Sequence, residues 1–336
     1  MINPKRDQGH KAVDKRLEVL ESRLKKEYIK ASVEVEAKLN DYLKRFEAKD
    51  AYKSKLVDEG ALKKSEYLNW RKGQIAIGHR WEELKDSLAK DLANTNKIAK
   101  SMIDNHIKDV YALSHNYGTF EVEKGSLLDT SYTLYSRETV ERLMRDDPDM
   151  LPPPQPHSKT AKKIKVGDAT LWNKQQIQSV MVQGILQGKS VKKIAKDLAE
   201  TVGDKNRVSA IRNARTMTTG AQNAGRRDAY IRAQDLGIEV ENEWVATLDT
   251  VTRDSHRDVD GERIPVGEDN TFSNGLRFPG DPYGTPAEVY NCRCVLQAVL
   301  KKYDTIKAND LNMRYSEKLG GMSYEEWKAG KGGGDL

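Results

Sequence analysis

The sequence predicts an α+β protein in which a long-helix N-terminal region is followed by a helical segment and a small antiparallel sheet module. From Val13 to Phe46, ten apolar positions recur in nine steps over 33 residues, an average of about 3.67 residues per step. This spacing is typical of one face of a long, nearly straight helix. Residues 239–249 and 292–300 instead show the period of two that is typical of strands. The two periods lie in different parts of the chain, which favours helices first and a sheet later.

Composition limits the class of protein. The length of 336 residues favours roughly two domains. With 37% hydrophobic and 32% charged residues, long solvated helices fit better than one compact globule. The sequence has no apolar run of membrane-spanning length and no apolar core of a signal peptide, so we expect a soluble protein with no membrane partner. The two cysteines are expected to be reduced thiols.

The formal charge of +6 and the pI near 8.9 favour acidic partners such as DNA. Lysines are nevertheless mixed with nearly as many carboxylates, and solvated helix faces account for most of them.

The N-terminal region is predicted to contain a second long helix, from about Gly73 to Tyr117. His79, His106 and His115 follow it without the spacing of a metal motif, so they are interpreted as structural. Ser136 is a suitable N-cap for a shorter helix that ends before Pro148. The proline- and lysine-rich residues 151–168 are predicted to form an exposed linker after a long-helix adaptor domain at residues 1–150.

Beyond the linker we expect a second domain at residues 169–304. It begins with a helix over Trp172–Gln187, a second helix from Ser190 to Leu198, a connection over 199–206 and a third helix over about 205–236. Small residues on the third helix predict close approach of another element. A short C-terminal helix, capped by Ser323 and Glu326, and a disordered tail are predicted within 305–336.

Two stretches imitate functional motifs. Residues 184–190 resemble a phosphate-binding loop but have one residue too few between the glycines, which excludes nucleotide binding. Residues 190–215 imitate a helix-turn-helix, but their connection is too long. Ile211, Ala214 and Thr218 also place Arg215 near the packing side of its helix, so we do not expect base reading.

The strand-like region has a distinct turn chemistry. Trp244 and Leu248 are predicted on the buried face of the first strand, opposite a wet face. Cys292 and Cys294 are predicted to project from one face of the second strand. Asp260-Gly261 suits a tight turn, and residues 278–282, with two prolines, suit a shaped loop.

These motifs resemble those of a known family. The run W-x-A-T-x-D-x-x-x-R-x-x-H-x-x-x-D-G at 244–261 is followed by F-P-G-D-P at 278–282, Glu288 and N-C-R-C at 291–294. Together they resemble the phage Mu F-like minor head protein family, also called head morphogenesis proteins of tailed bacteriophages. The resemblance extends from A-R-T at 214–216 to S-Y-E-E-W at 323–327, about the last half of the chain.

The resemblance implies a non-enzymatic structural protein of the phage head. It implies the phage portal and the major capsid protein as partners, with double-stranded phage DNA as a further partner during packaging or ejection, and no small-molecule substrate. The implied location is the virion, and the host cytoplasm during assembly. Related domains also occur in toxins with an effector module after them; we expect no room for one in the roughly forty residues after Cys294. A dedicated DNA-binding protein is the other alternative.

His256, Cys292 and Cys294 have the residue types of a zinc site, which Asp249 or Asp281 could complete. The thiols are closer in sequence than is usual for zinc, so we expect core contacts and no cofactor, with a structural zinc ion as the alternative. The deaminase motif is absent, and a cysteine nucleophile would need exposure.

We therefore interpret the cluster as a fold-locking motif without catalytic residues, in which Arg253 and Arg293 pair with Asp249, Asp254, Asp258 or Glu288. The motif comprises Trp244, Asp249, Arg253, His256, Asp260, Gly261, Pro279, Gly280, Asp281, Pro282, Glu288, Asn291, Cys292, Arg293 and Cys294.

Overall fold

A computed structural model describes residues 8–153, 169–300 and 314–332. Most of the predicted linker, at 154–168, lies outside these residues, as do 301–304 at the end of the predicted second domain and 305–313 and 333–336 of the predicted C-terminal segment. The helices are α1 Gln8–Lys44, α2 Glu47–Asp58, α3 Lys64–Ile75, α4 His79–Ser126, α5 Arg137–Asp146, α6 Ala169–Leu186, α7 Val191–Asp235, α8 Asp254–Asp258, α9 Pro286–Val289, α10 Glu317–Gly321 and α11 Tyr324–Gly330. None of these helices is long and apolar enough to cross a membrane.

The strands confirm the predicted α+β class. They are β1 Leu128–Asp129, β2 Val240–Val245, β3 Arg263–Pro265, β4 Val295–Leu300 and β5 Arg314–Tyr315. β1 pairs with β5, and the larger sheet has the order β3-β2-β4 with both pairs antiparallel. In that sheet Asn242 lies opposite Ile264 on one side and Ala298 on the other.

The apolar stripe on α1 is buried as its period predicts. Leu24, Tyr28, Val35 and Leu39 are at most 2% exposed. Ser136 accepts a hydrogen bond from the Thr139 backbone N–H and caps α5, as predicted. The short helices α2 and α3 were not predicted, because they carry little periodic signal.

The described chain forms two compact units, which differ from the sequential domains predicted from the linker. One unit comprises 1–20, 103–157 and 212–336, and the other comprises 21–102 and 158–211, so each takes residues from both sides of the linker. In the second unit a shared core explains this arrangement. Leu39 of α1 and Trp81 of α4 pack in one cluster with Ile177 and Met181 of α6 and Leu198 of α7.

The predicted connection at 199–206 is wrong, because α7 runs unbroken through it. Val202 is fully buried in the core of the second unit, and Asn206 donates a hydrogen bond to the Val202 carbonyl and another to Asn173. A side chain on Gly203 would collide with Ser32 of α1. Tertiary packing therefore outweighs the weak local helix propensity of this segment. A continuous helix here also rules out the helix-turn-helix.

Two details of the strand predictions are wrong. The predicted wet face of β2 is largely covered, since Glu243 is only 9% exposed and pairs with Arg263 at 2.9 Å. Leu248, predicted to be buried, is 54% exposed because β2 ends at Val245. Arg263 lies directly opposite Glu243 on β3 and pairs with it, so this carboxylate is directed to a cross-strand partner rather than to solvent.

The C-terminal helix is capped by Ser323 and Glu326, as predicted. After it, Lys331 contacts the carboxylate of Glu123 at 2.9 Å and that of Asp129. This part of the predicted tail is therefore held by charged contacts.

Candidate functional site

One face of α7 positions the end of the sheet through polar side chains. Thr219 Oγ1 donates to the Cys292 carbonyl at 2.6 Å, and Asn223 Nδ2 donates to the Cys294 carbonyl at 3.1 Å. Asn223 Oδ1 also accepts from the Leu296 backbone N–H at 2.8 Å, and Arg226 Nη1 donates to the Leu296 carbonyl at 3.1 Å. The three α7 residues are spaced by three or four positions, so they share a helix face. Sequence reasoning missed them.

A close approach of two backbones fixes the proline loop on the same helix. A Cβ added to Gly220 would lie 2.9 Å from the Gly280 carbonyl oxygen, and Gly280 has a φ of +79°. Asn223 Nδ2 donates to the Pro279 carbonyl at 2.8 Å. The small residues on α7 therefore permit the contact that their sequence predicted.

The buried carboxylate of Asp281 holds the loop together from inside. It accepts hydrogen bonds from Arg277 Nε and Nη2, each at 2.8 Å, and from the Tyr283 backbone N–H at 3.1 Å. Burial alone would raise the pKa of Asp281, but the hydrogen bonds from Arg277 and the backbone lower it below its usual value. Asp281 is thus a structural anion, fully engaged by the loop.

The turn between β2 and β3 is held by directed contacts. The Ala246 backbone N–H donates to Asp260 Oδ1 at 2.8 Å, and Gly261 has a φ of +79°. Arg293 pairs with Asp249 at 2.6 Å, as the sequence predicted. Arg253 differs from the prediction, because its guanidinium donates to the Tyr290 carbonyl rather than to a carboxylate. A carbonyl at the end of α9 is the better-placed acceptor.

His256 in α8 lies against both cysteines. Its Nδ1 is 3.4 Å from Cys294 Sγ and 3.7 Å from Cys292 Sγ. Its Nε2 is 3.0 Å from Glu288 Oε2, which also accepts a hydrogen bond from Ser255 Oγ at 2.8 Å. The sequence predicted both cysteines within the second strand. They lie just before β4 instead, because that strand begins at Val295.

Burial and hydrogen bonding separate the two thiols electrostatically. The neighbouring Cys294 side chain, together with burial, raises the pKa of Cys292 well above its ordinary value. The neighbouring Cys292 and His256 side chains lower the pKa of Cys294 below its ordinary value. Sequence reasoning expected both thiols in the core but did not identify this asymmetry.

The arrangement resembles a nucleophile with its base, but access is closed. The exposed fractions are 1% for His256, 2% for Cys292 and 3% for Cys294. A substrate atom cannot approach a sulfur at that depth without rearrangement of the surrounding core. Trp244 covers the imidazole edge-on, with ring centroids 5.2 Å apart. The geometry suits a structural contact or a metal site.

The two other predicted metal ligands are directed elsewhere. Asp249 pairs with Arg293, and Asp281 pairs with Arg277. Within the described ranges, the metal-compatible group comprises His256, Cys292 and Cys294, with donor atoms within 4.8 Å of one another.

Part of the chain is similar to known proteins. The chain is 28% identical over 155 residues to NAD(+)–arginine ADP-ribosyltransferase EFV of Enterococcus faecalis. That alignment covers 46% of this chain and 31% of the relative, so the chain spans less than a third of that protein's length. No solved structure matches the chain.

The family described as Phage Mu protein F like protein matches residues 175–297, a range that contains the whole fold-locking motif from Trp244 to Cys294. The resemblance predicted from the sequence motifs is thereby confirmed over residues 175–297, which match the family model of the Phage Mu protein F like proteins.

Proposed function

We propose that this chain is a structural minor head protein of a tailed bacteriophage that acts in head morphogenesis near the portal and performs no reaction. The observation that carries the proposal is the family match over 175–297. The motif residues in that range make internal contacts: they bond to α7, to one another and to loop backbones. Such contacts hold shape, which an assembly component needs.

The proposed partners are the phage portal protein and the major capsid protein, with double-stranded phage DNA as a further contact during packaging or ejection. The proposed location is the virion, and the host cytoplasm during assembly. The helices within residues 1–150 would form the adaptor that engages the portal. Their solvated faces carry both charge signs, for example Lys38 and Asp91, which pair at 2.6 Å. Polar surfaces of this kind suit a regulated protein contact better than a permanent apolar one.

Co-expression with the portal protein of the same phage tests the proposal. We expect the two chains to co-purify in a fixed stoichiometry at moderate salt, and the portal of an unrelated phage serves as the control. A parallel pull-down with the major capsid protein separates the two partners. Failure to bind either protein, together with absence of the chain from purified virions by mass spectrometry, would overturn the proposal.

The alignment with the ADP-ribosyltransferase favours a second candidate, an enzymatic role related to that protein. Incubation of the purified chain with labelled NAD⁺ and an arginine-rich acceptor protein tests it. Transfer of label would establish this candidate and refute the non-enzymatic role. A DNA-binding role predicts affinity that falls steeply as salt rises, which a titration of duplex DNA at two salt concentrations measures.

A further inference from the structure

We propose that His256, Cys292 and Cys294 bind a structural Zn²⁺ ion. The three residues supply one imidazole nitrogen and two sulfurs, the donor types that zinc prefers over magnesium or calcium. They come from α8 and from the segment before β4, so an ion would join two parts of the chain that are 36 residues apart at their nearest. This inference does not depend on the proposed role in the phage head.

The distances fit a shared ion. Zinc–sulfur bonds of about 2.3 Å and zinc–nitrogen bonds of about 2.05 Å, at a tetrahedral angle, place sulfur and nitrogen about 3.5 Å apart. The observed separations from His256 Nδ1 are 3.4 Å to Cys294 Sγ and 3.7 Å to Cys292 Sγ. Both values lie within about 0.2 Å of that separation.

A network of thiol hydrogen bonds explains the same geometry less well. A ring nitrogen makes one well-aligned hydrogen bond, either as donor through its N–H or as acceptor through its lone pair. Here two sulfurs lie at nearly equal distances from His256 Nδ1. One cation between the three atoms can accept a lone pair from each of them, whereas a single proton can join only two of them in a hydrogen bond.

The contact behind the imidazole supports a metal ligand. Glu288 Oε2 lies 3.0 Å from His256 Nε2, and Ser255 Oγ donates to the same oxygen at 2.8 Å. A histidine that binds zinc through one nitrogen usually has a carboxylate or carbonyl at the other, which orients the ring. Glu288 thus lies on the side of the ring opposite the two sulfurs, at ion-pair distance from Nε2.

The cysteine backbones are also held in place before any ion binds. Thr219 and Asn223 of α7 bond to the carbonyls of Cys292 and Cys294. Preorganised ligands lose little conformational entropy when a metal binds. In the part of the chain that the structure describes, three protein ligands form the group, so a tetrahedral ion would need one further donor. Burial at 1–3% exposure favours a structural ion over a catalytic one.

Metal analysis of the full chain tests the proposal. The protein is purified without chelators in a phosphine reductant, since dithiol reductants compete for zinc, and its zinc content is measured by mass spectrometry. We expect about one zinc ion per chain, as is usual for a single structural site. Substitution by Co²⁺ is expected to produce thiolate-to-cobalt charge-transfer absorption. His256→Asn and Cys294→Ser are expected to lose the ion and this absorption.

Two variants keep the test independent of folding. Glu288→Gln retains the three donors and is expected to weaken zinc affinity about 10- to 100-fold, because it removes the carboxylate behind His256. His79→Asn is the matched control for His256→Asn, since His79 is 86% exposed and pairs locally with Glu83. Wild-type protein that contains no zinc and gives no thiolate absorption with Co²⁺ would overturn the proposal. Stoichiometric zinc in folded His256→Asn would do the same.

Discussion

The contact between Gly220 and Gly280 gives the sharpest test of how the proline loop is held. Gly220 lies inside α7, where alanine would ordinarily stabilise a helix by about 1 kcal/mol. A Cβ at this position would lie 2.9 Å from the Gly280 carbonyl oxygen, a backbone atom that cannot rotate away. Overpacking of this kind costs about 1–3 kcal/mol. We therefore expect Gly220→Ala to change the free energy of unfolding by roughly 0 to −2 kcal/mol, the sum of these two effects.

Gly73→Ala is the matched control, because Gly73 also lies inside a helix, α3, and has no atom within 4 Å of an added Cβ. The free energy of unfolding of this variant is expected to rise by up to about 1 kcal/mol. Gly280→Ala carries the same clash at 2.9 Å, now with the Gly220 backbone N, and a positive φ of +79°. The left-handed conformation adds about 1–2 kcal/mol to its cost.

Urea unfolding of the three variants measures these differences. Hydrogen exchange of residues 291–300 adds a local readout, since this segment bonds to the same face of α7. We expect faster exchange in Gly220→Ala and Gly280→Ala and no change in Gly73→Ala. If Gly220→Ala were as stable as Gly73→Ala and exchanged normally, the close contact between loop and helix would be refuted.

Two other buried groups give further predictions. Burial, with the nearby charge of Arg232, lowers the pKa of His115 to about 3. Below pH 6.5 the unfolded chain therefore takes up a proton that the folded chain does not, and the free energy of unfolding decreases as the pH is lowered. His115→Phe keeps the ring stack on Tyr135, at 3.7 Å between centroids. Between pH 7 and pH 5 this variant should lose about 2 kcal/mol less free energy of unfolding than the wild type, as measured by urea unfolding. Asp281→Asn replaces acceptors of the Arg277 hydrogen bonds with an amide, and should cost about 2–3 kcal/mol at pH 7, the usual worth of bonds to charged groups.

Exposed residues of the same types provide controls for both changes. His79 and Asp254 have side chains that are 86% and 94% exposed, so His79→Asn and Asp254→Asn should leave stability unchanged. His115 Nε2 lies 3.5 Å from the partly buried carboxylate of Asp228. An unchanged pH profile in His115→Phe would mean that the folded state accepts the proton through Asp228. Wild-type stability in Asp281→Asn would show that backbone bonds alone hold the loop.

Much of the fold follows from local pattern. The apolar period predicts α1, because a long helix must bury one stripe, and Leu24 and Leu39 lie on that stripe. The alternation around Trp244 predicts β2, and the Ser323 capping box predicts α11. The proline loop is predicted because its φ angles and missing donors exclude a central strand. In each case the determining interaction lies within a few residues.

The predictions that failed depend on distant residues. Gly203 weakens a helix locally, yet α7 continues because Val202 is buried in a core built by other helices. Arg215 was predicted near the packing side of this helix; Ala214 and Thr218 of that side are buried, but Arg215 itself is exposed. Thr219 and Asn223 bond to carbonyls more than 70 residues away, and no local period predicts such a pairing. Spacing along a chain cannot identify partners that only the tertiary fold brings together.

The same argument explains why the histidine–cysteine group could not be assigned from sequence. The spacing of the cysteines disfavoured a zinc site, because two cysteines separated by one residue rarely bind the same zinc ion when both lie in a regular strand. The structure places both residues before β4, after Asn291 at a φ of +56°, where the backbone is not bound to strand geometry. Helix α7 then fixes both carbonyls, and Glu288 lies 3.0 Å from His256 Nε2. Because these contacts preform the donor set, removal of the proposed ion should loosen α8 rather than unfold the sheet, whereas Asn223→Ala should loosen the sheet with or without metal.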